Sequence, residues 1–194
     1  MRAVATVVTA CVIACLGLQG NAAVKVRTQF TQSFDFAKAK TWSWHQGGPG
    51  EVKMARTADD DPEIVRQRAE PIILEAVAAE LPQRGLTAAA PGAAPDLEIK
   101  YYVLITVGTQ SQQIGQFLPA VAAWGLPPFT GATQSYKVIE QGSLVLDISA
   151  NKEVVWRGIG QAELKPGQPA EKRAVLLREA IRDILKEYPP KKKK

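Results

Sequence analysis

The sequence predicts an α+β fold: a mainly antiparallel sheet of about five strands with two helices on one face, in the order β-β-α-β-β-β-α. Three observations carry this. Alternating apolar and polar residues recur in "VKVRTQF", "APDLEIKYYVLITV" and "SLVLDISANKEVVWRGIGQ", the period-two pattern of strands with one face buried. Two other segments, between Pro62 and Gly85 and from Ala174 to Tyr188, space their apolar residues as helices do. Finally, the last three strands follow one another with no helix between them, which favours antiparallel pairing with both helices to one side. A chain of 194 residues that is 46% hydrophobic has enough apolar material for one such core.

The first 23 residues read as an export signal. Met1 and Arg2 give a short positive start, and "AVATVVTACVIA" is an uncharged apolar run too short to span a bilayer. Two cleavage sites compete. "VIAC" resembles a bacterial lipobox, with Cys15 as the residue to be lipidated, although Val12 stands where leucine is usual. The alternative is an ordinary cut after Ala22 or Ala23. Both cysteines, Cys11 and Cys15, lie in this leader, so the body from residue 24 to 190 has no disulfide and no thiol chemistry.

The formal charge of +5 does not describe the folded body. Arg2 and the terminal "KKKK" (191–194) account for five of the 24 basic residues, leaving 19 against 19 acidic ones. That balance gives no basic face for a phosphate backbone, so nucleic acid is not an expected partner. The lysine tail is read as solvated, with attraction to anionic lipid or sugar phosphates as the other possibility.

Along the body, Val24, Val26, Thr28 and Phe30 mark the first strand, and Trp42 and Trp44 share one face of the second. "HQGGPGEVKMARTADDD" reads as a loop from its glycines, its proline and its lack of period. Asp60 or Asp61 can cap the first helix, with Pro62 in the first turn and Gly85 closing the element. Pro71 should kink it, or else the helix effectively begins near Glu70. The strand from Leu97 to Val107 has a second face that is not fully polar, so its later half should be covered. Residues 143–161 form a hairpin turning at Asn151 and Lys152. Leu144, Leu146 and Ile148 share one face, and Asp147 projects from the other beside Arg157. At a surface, a pair of this kind contributes little and needs no catalytic role.

Candidate sites are few. His45, the single histidine, reads as a solvated loop residue, since a metal site would need several further ligands. "DDD" at 59–61 lacks the spacing of a calcium loop and suits a helix N-terminus. "GIG" at 158–160 lies within a strand with no lysine–serine partner, so it is no phosphate loop. Trp42, Trp44 and Trp156 are expected in the core or on the sheet. The 108–135 connection is long enough to be functional, packed as a lid, or disordered. Its Phe117, Leu118, Trp124, Leu126 and Phe129 either cover the sheet or form a candidate partner surface. No catalytic, metal or cofactor site is assigned.

The ordered set "FDFAKAKTWSW", "QRGL", "APDLEIKYYV", "GSLVLDISANKEVVWRG" and "YPP" resembles the bacterial envelope family called domain of unknown function 4136, over nearly all of the body. The resemblance implies an exported protein, often a lipoprotein, with an α+β fold and no established activity. The expected role is therefore a non-catalytic cell-envelope module on the periplasmic side. It would be held by an N-terminal lipid, at the outer membrane, and would bind or scaffold an envelope protein. The alternatives are a periplasmic carrier of a small apolar ligand under the 108–135 loop, or a hydrolase using Asp35, Asp96 or Asp147.

Overall fold

The computed structural model describes residues 24–54, 61–105, 112–114, 136–138, 142–162 and 168–191. In chain order its elements are β1 (Lys25–Phe30), β2 (Thr41–Trp44), β3 (Gly50–Met54), α1 (Pro62–Glu80), a 3₁₀ turn (Leu81–Arg84), β4 (Thr87–Ala88) and β5 (Leu97–Ile105). They continue with β6 (Gln112–Ile114), β7 (Tyr136–Val138), β8 (Ser143–Ala150), β9 (Glu153–Gln161) and α2 (Ala170–Lys186). The fold is α+β with two α-helices, as expected. The sheet is larger and less uniform than expected.

Seven strands make one mixed sheet in the order β1-β9-β8-β5-β2-β4, with β3 also on β5. From β1 to β5 every neighbour is antiparallel, whereas β2 and β3 both run parallel to β5, and β4 runs parallel to β2. The strand β3 corrects the loop expected across residues 45–61. Trp42–Trp44 pair with Leu97–Ile99, and Gly50–Met54 then pair with Tyr101–Ile105 along the same edge. A glycine- and proline-rich stretch at 45–49 interrupts what is otherwise one long edge strand. Parallel pairing between β3 and β5 requires a crossover, and α1 provides it. The small β6–β7 pair is separate from this sheet.

Helix α1 begins where the acidic run predicts. The Asp61 carboxylate accepts from the Glu63 amide at 2.8 Å, and Pro62 occupies the first turn. The helix does not begin near Glu70: it runs from Pro62 to Glu80 with Pro71 inside it. Both Pro71 and Gln67, whose carbonyl loses its partner, are exposed, so water can satisfy that group. Ile73, Val77 and Leu81 are fully buried, and Gly85 closes the 3₁₀ turn at φ 79°.

The β8–β9 hairpin turns through Asn151 and Lys152 at φ 50° and 68°. Two positive values in succession match a type I′ hairpin turn, which asparagine adopts at less cost than lysine. Lys152→Gly should therefore raise stability by about 1 kcal/mol, read as an increase in Tm. An unchanged or lower Tm would show that the turn carries no such strain.

Both helices lie on one face. Tyr101, Leu146 and Gly158 form a row across β5, β8 and β9 on that face. The Tyr101 hydroxyl donates to Glu70 of α1, and Ile184 of α2 rests on Gly158. Trp156 is fully buried beside them and meets Tyr188 edge to face at 5.5 Å. Trp42 is buried too, with Trp44 partly buried against the same core.

Candidate functional site

The opposite face of the sheet carries the polar chemistry. Strand alternation sends Gln29, Arg157, Asp147 and Lys100 to it in one transverse row, from β1 through β9 and β8 to β5. The next row contains Arg27, Ile159, Val145, Tyr102 and Glu51. Although neither helix covers this face, Tyr102, Leu104, Val145 and Ile159 are buried on it. Burial of Tyr102 and Leu104 agrees with the expectation that the later half of β5 is covered.

Asp147 and Arg157 face each other across the hairpin. Arg157 Nε donates to Asp147 Oδ1 and Nη2 donates to Oδ2, each at 2.6 Å. This is the parallel, two-bond geometry that guanidinium and carboxylate planes allow. Pairing was expected from the sequence, but a surface location was not found. Each side chain is only 2% exposed. Burial by itself would lower the Arg157 pKa, but the Asp147 charge and hydrogen bonding reverse this and raise it overall. Beside the pair, burial pushes the Tyr102 phenol well above its ordinary range, and the negative charges of Asp147 and Glu51 add to the shift.

Toward the sheet edge the row becomes wetter. Lys100 Nζ donates to Glu51 Oε1 at 2.5 Å, and Lys53 Nζ lies 3.1 Å from Glu51 Oε2. The Lys100 hydrogen bond is the main reason the Glu51 carboxyl sits below its usual pKa, with Lys53 contributing and partial burial opposing. Positive and negative groups thus alternate from Arg157 to Lys53. Sequence alone does not reveal this belt, because the glycines and proline before "GEVKM" suggest a loop and pairing of β1 with β9 has no local signature.

The other candidate groups are engaged in holding the chain. Asp96 Oδ2 accepts from the Lys40 and Thr41 amides at 2.8 Å each and from the Thr41 hydroxyl at 2.9 Å. These bonds, the Lys40 amide foremost, hold its pKa below the usual value. Asp35 accepts from the Ala37 amide in the connection after β1. His45 Nδ1 accepts from the Gly47 amide at 3.0 Å, and its Nε2 lies 3.8 Å from Glu98. The three aspartates considered for hydrolysis thus lie in the connection after β1, just before β5, and in the middle of β8. Gly158 and Gly160 lie under α2, where a side chain would meet Ile184.

A cleft of about 440 Å³ opens beside Ser43 and Gln46, walled by residues 89–95, and has no titratable group in its lining. Among the described residues no three His, Cys, Asp or Glu side chains are grouped as metal ligands. Nor is any helix among them long and apolar enough to cross a membrane. Cys15, Phe117, Leu118, Trp124, Leu126 and Phe129 lie outside the described residues.

The model of the family described as "Domain of unknown function (DUF4136)" matches residues 26–190. The chain belongs to this family. A solved DUF4136 family protein from Bacteroides thetaiotaomicron is 18% identical with a TM-score of 0.51, and the match covers 86% of this chain and 96% of that one. At this identity the likeness concerns the fold.

A PDZ domain protein from Parabacteroides distasonis is 15% identical with a TM-score of 0.48. That match covers 89% of this DUF4136 chain, which spans 38% of the other protein's length. A PelC dodecamer structure from Paraburkholderia phytofirmans is 12% identical with a TM-score of 0.36, over 84% of this chain and 95% of that one. Neither of these two likenesses carries an argument about DUF4136 function. No curated protein matches the sequence.

Proposed function

We propose that this DUF4136 protein is an exported cell-envelope module that works by binding or scaffolding and performs no catalysis. The observation that carries the reading is how its carboxylates are used. Both Asp147 oxygens are taken up by Arg157, while Asp96 and Asp35 accept backbone amides that hold the start of β2 and the preceding turn. A general acid or base has to exchange its proton with a substrate, and a carboxylate locked between two short ionic hydrogen bonds is poorly placed to do so. The Asp147–Arg157 pair acts in this reading as a strut across the hairpin.

Export and anchoring rest on the leader. The positive start, the short apolar run and the lipobox-like "VIAC" make Cys15 the lipid attachment point. The module would then face the periplasm from the outer membrane. Intact mass of the mature protein from membrane and soluble fractions, beside Cys15→Ser, tests this. A diacylglyceryl-sized addition that disappears in the variant is expected. An unmodified chain beginning near Ala23 in the soluble fraction would overturn the anchor and leave a free periplasmic protein.

A further inference from the structure

We propose that two copies of this chain pair through β3, edge to edge and antiparallel, with Val52 on the two-fold axis. The proposal stands on the edge itself and holds whether or not the module scaffolds other proteins. Among the described residues β3 pairs only with β5, while β4 fills the corresponding position beside β2. Among the described residues the sheet edge therefore has a notch at Gly50–Met54.

The direction of the backbone groups follows from one hydrogen bond. The Tyr101 amide donates to the Pro49 carbonyl. Because backbone groups alternate along a strand, Glu51 and Lys53 also direct theirs at β5, and Gly50, Val52 and Met54 direct theirs outward. These outward groups are a template for another strand.

The sequence "GEVKM" is self-complementary when it meets itself antiparallel about Val52. Val52 then opposes Val52 of the second copy, and Gly50 opposes Met54. Both are hydrogen-bonded pairs, formed by the residues whose amides and carbonyls face outward. Glu51 opposes Lys53 in the intervening positions, which bring side chains closest together. Shifting the register by two residues puts Glu51 against itself or Lys53 against itself, so charge selects the centred pairing. Every off-axis pair occurs twice and Val52 meets itself once, as a two-fold interface requires.

The test is sedimentation of the purified chain over a dilution series, beside Val52→Pro and Lys53→Glu. The wild type should sediment as a concentration-dependent dimer, with the Gly50, Val52 and Met54 amides more protected from hydrogen exchange in the dimer than in the monomer. Val52→Pro removes an amide that β5 does not use, so it should remain folded by circular dichroism and become monomeric. Lys53→Glu places glutamate against Glu51 of the other copy and should also abolish the dimer. If Val52→Pro fails to fold, Lys53→Glu decides alone: a monomer supports the pairing and a retained dimer overturns it. A wild type that is monomeric throughout the series, or a dimer that survives in folded Val52→Pro, overturns it as well.

Discussion

Asp147→Ala is expected to destabilise the protein by about 3–5 kcal/mol, among the largest losses any single polar substitution here can produce. The reason is the burial of the pair and not the number of bonds it makes. With both side chains 2% exposed, removal of the carboxylate leaves a guanidinium in a site shielded from water. Arg157→Ala should cost a similar amount by leaving Asp147 in the same position. Replacing both together by apolar residues, as in Asp147→Leu with Arg157→Met, removes the charges at once and should restore much of the loss. Urea unfolding of the wild type, the two single variants and the apolar pair measures this directly. A single-variant loss below about 1 kcal/mol would match a surface pair and contradict the buried strut.

The second large effect is expected at Gly158. Its position on the helix face leaves no room for a side chain, because a Cβ would collide with Ile184 of α2 and with the Trp156 ring. Neither neighbour is free to move, since both are fully buried. Gly158→Val should therefore cost about 1–3 kcal/mol or more, as overpacked cores do. Trimming the opposing residue, in Gly158→Val with Ile184→Ala, should recover part of it. Unfolding midpoints of the single and double variants would show this as non-additivity. Additive losses would mean that α2 does not pack on Gly158.

Much of the fold was legible because its pattern is local. The β8–β9 hairpin declares itself through period-two apolar residues and an Asn151–Lys152 turn, and α1 through its Asp61 cap and the Ile73, Val77, Leu81 stripe. Pairing direction is not local. Nothing in "TWSW" or "GEVKM" records that they lie parallel to β5, and the glycines and proline before Gly50 suggest a loop. Pro71 does not mark the start of the helix, since an exposed helix face can accommodate the missing amide.

The polar belt was half legible for a related reason. Alternation places Asp147 and Arg157 away from the helices, but it is indifferent to whether solvent or protein lies there. The sequence therefore identified the partners without identifying their burial. Gln29 could not have been added to the row without the long-range pairing of β1 to β9.

That long-range pairing also affects how the chain comes to be assembled. The first strand to be synthesised has its sheet partner near the other end of the chain, with Lys25 beside Gln161 and Phe30 beside Trp156. Until β9 exists, β1 has no edge to join, and contacts between such distant segments form slowly because a long intervening chain must first be brought together. A polypeptide that emerges from its N-terminus thus stays incomplete until nearly all of it has been made. Closure of the sheet therefore waits on the strand next to the last helix, so the sheet is completed last at the end where the chain began.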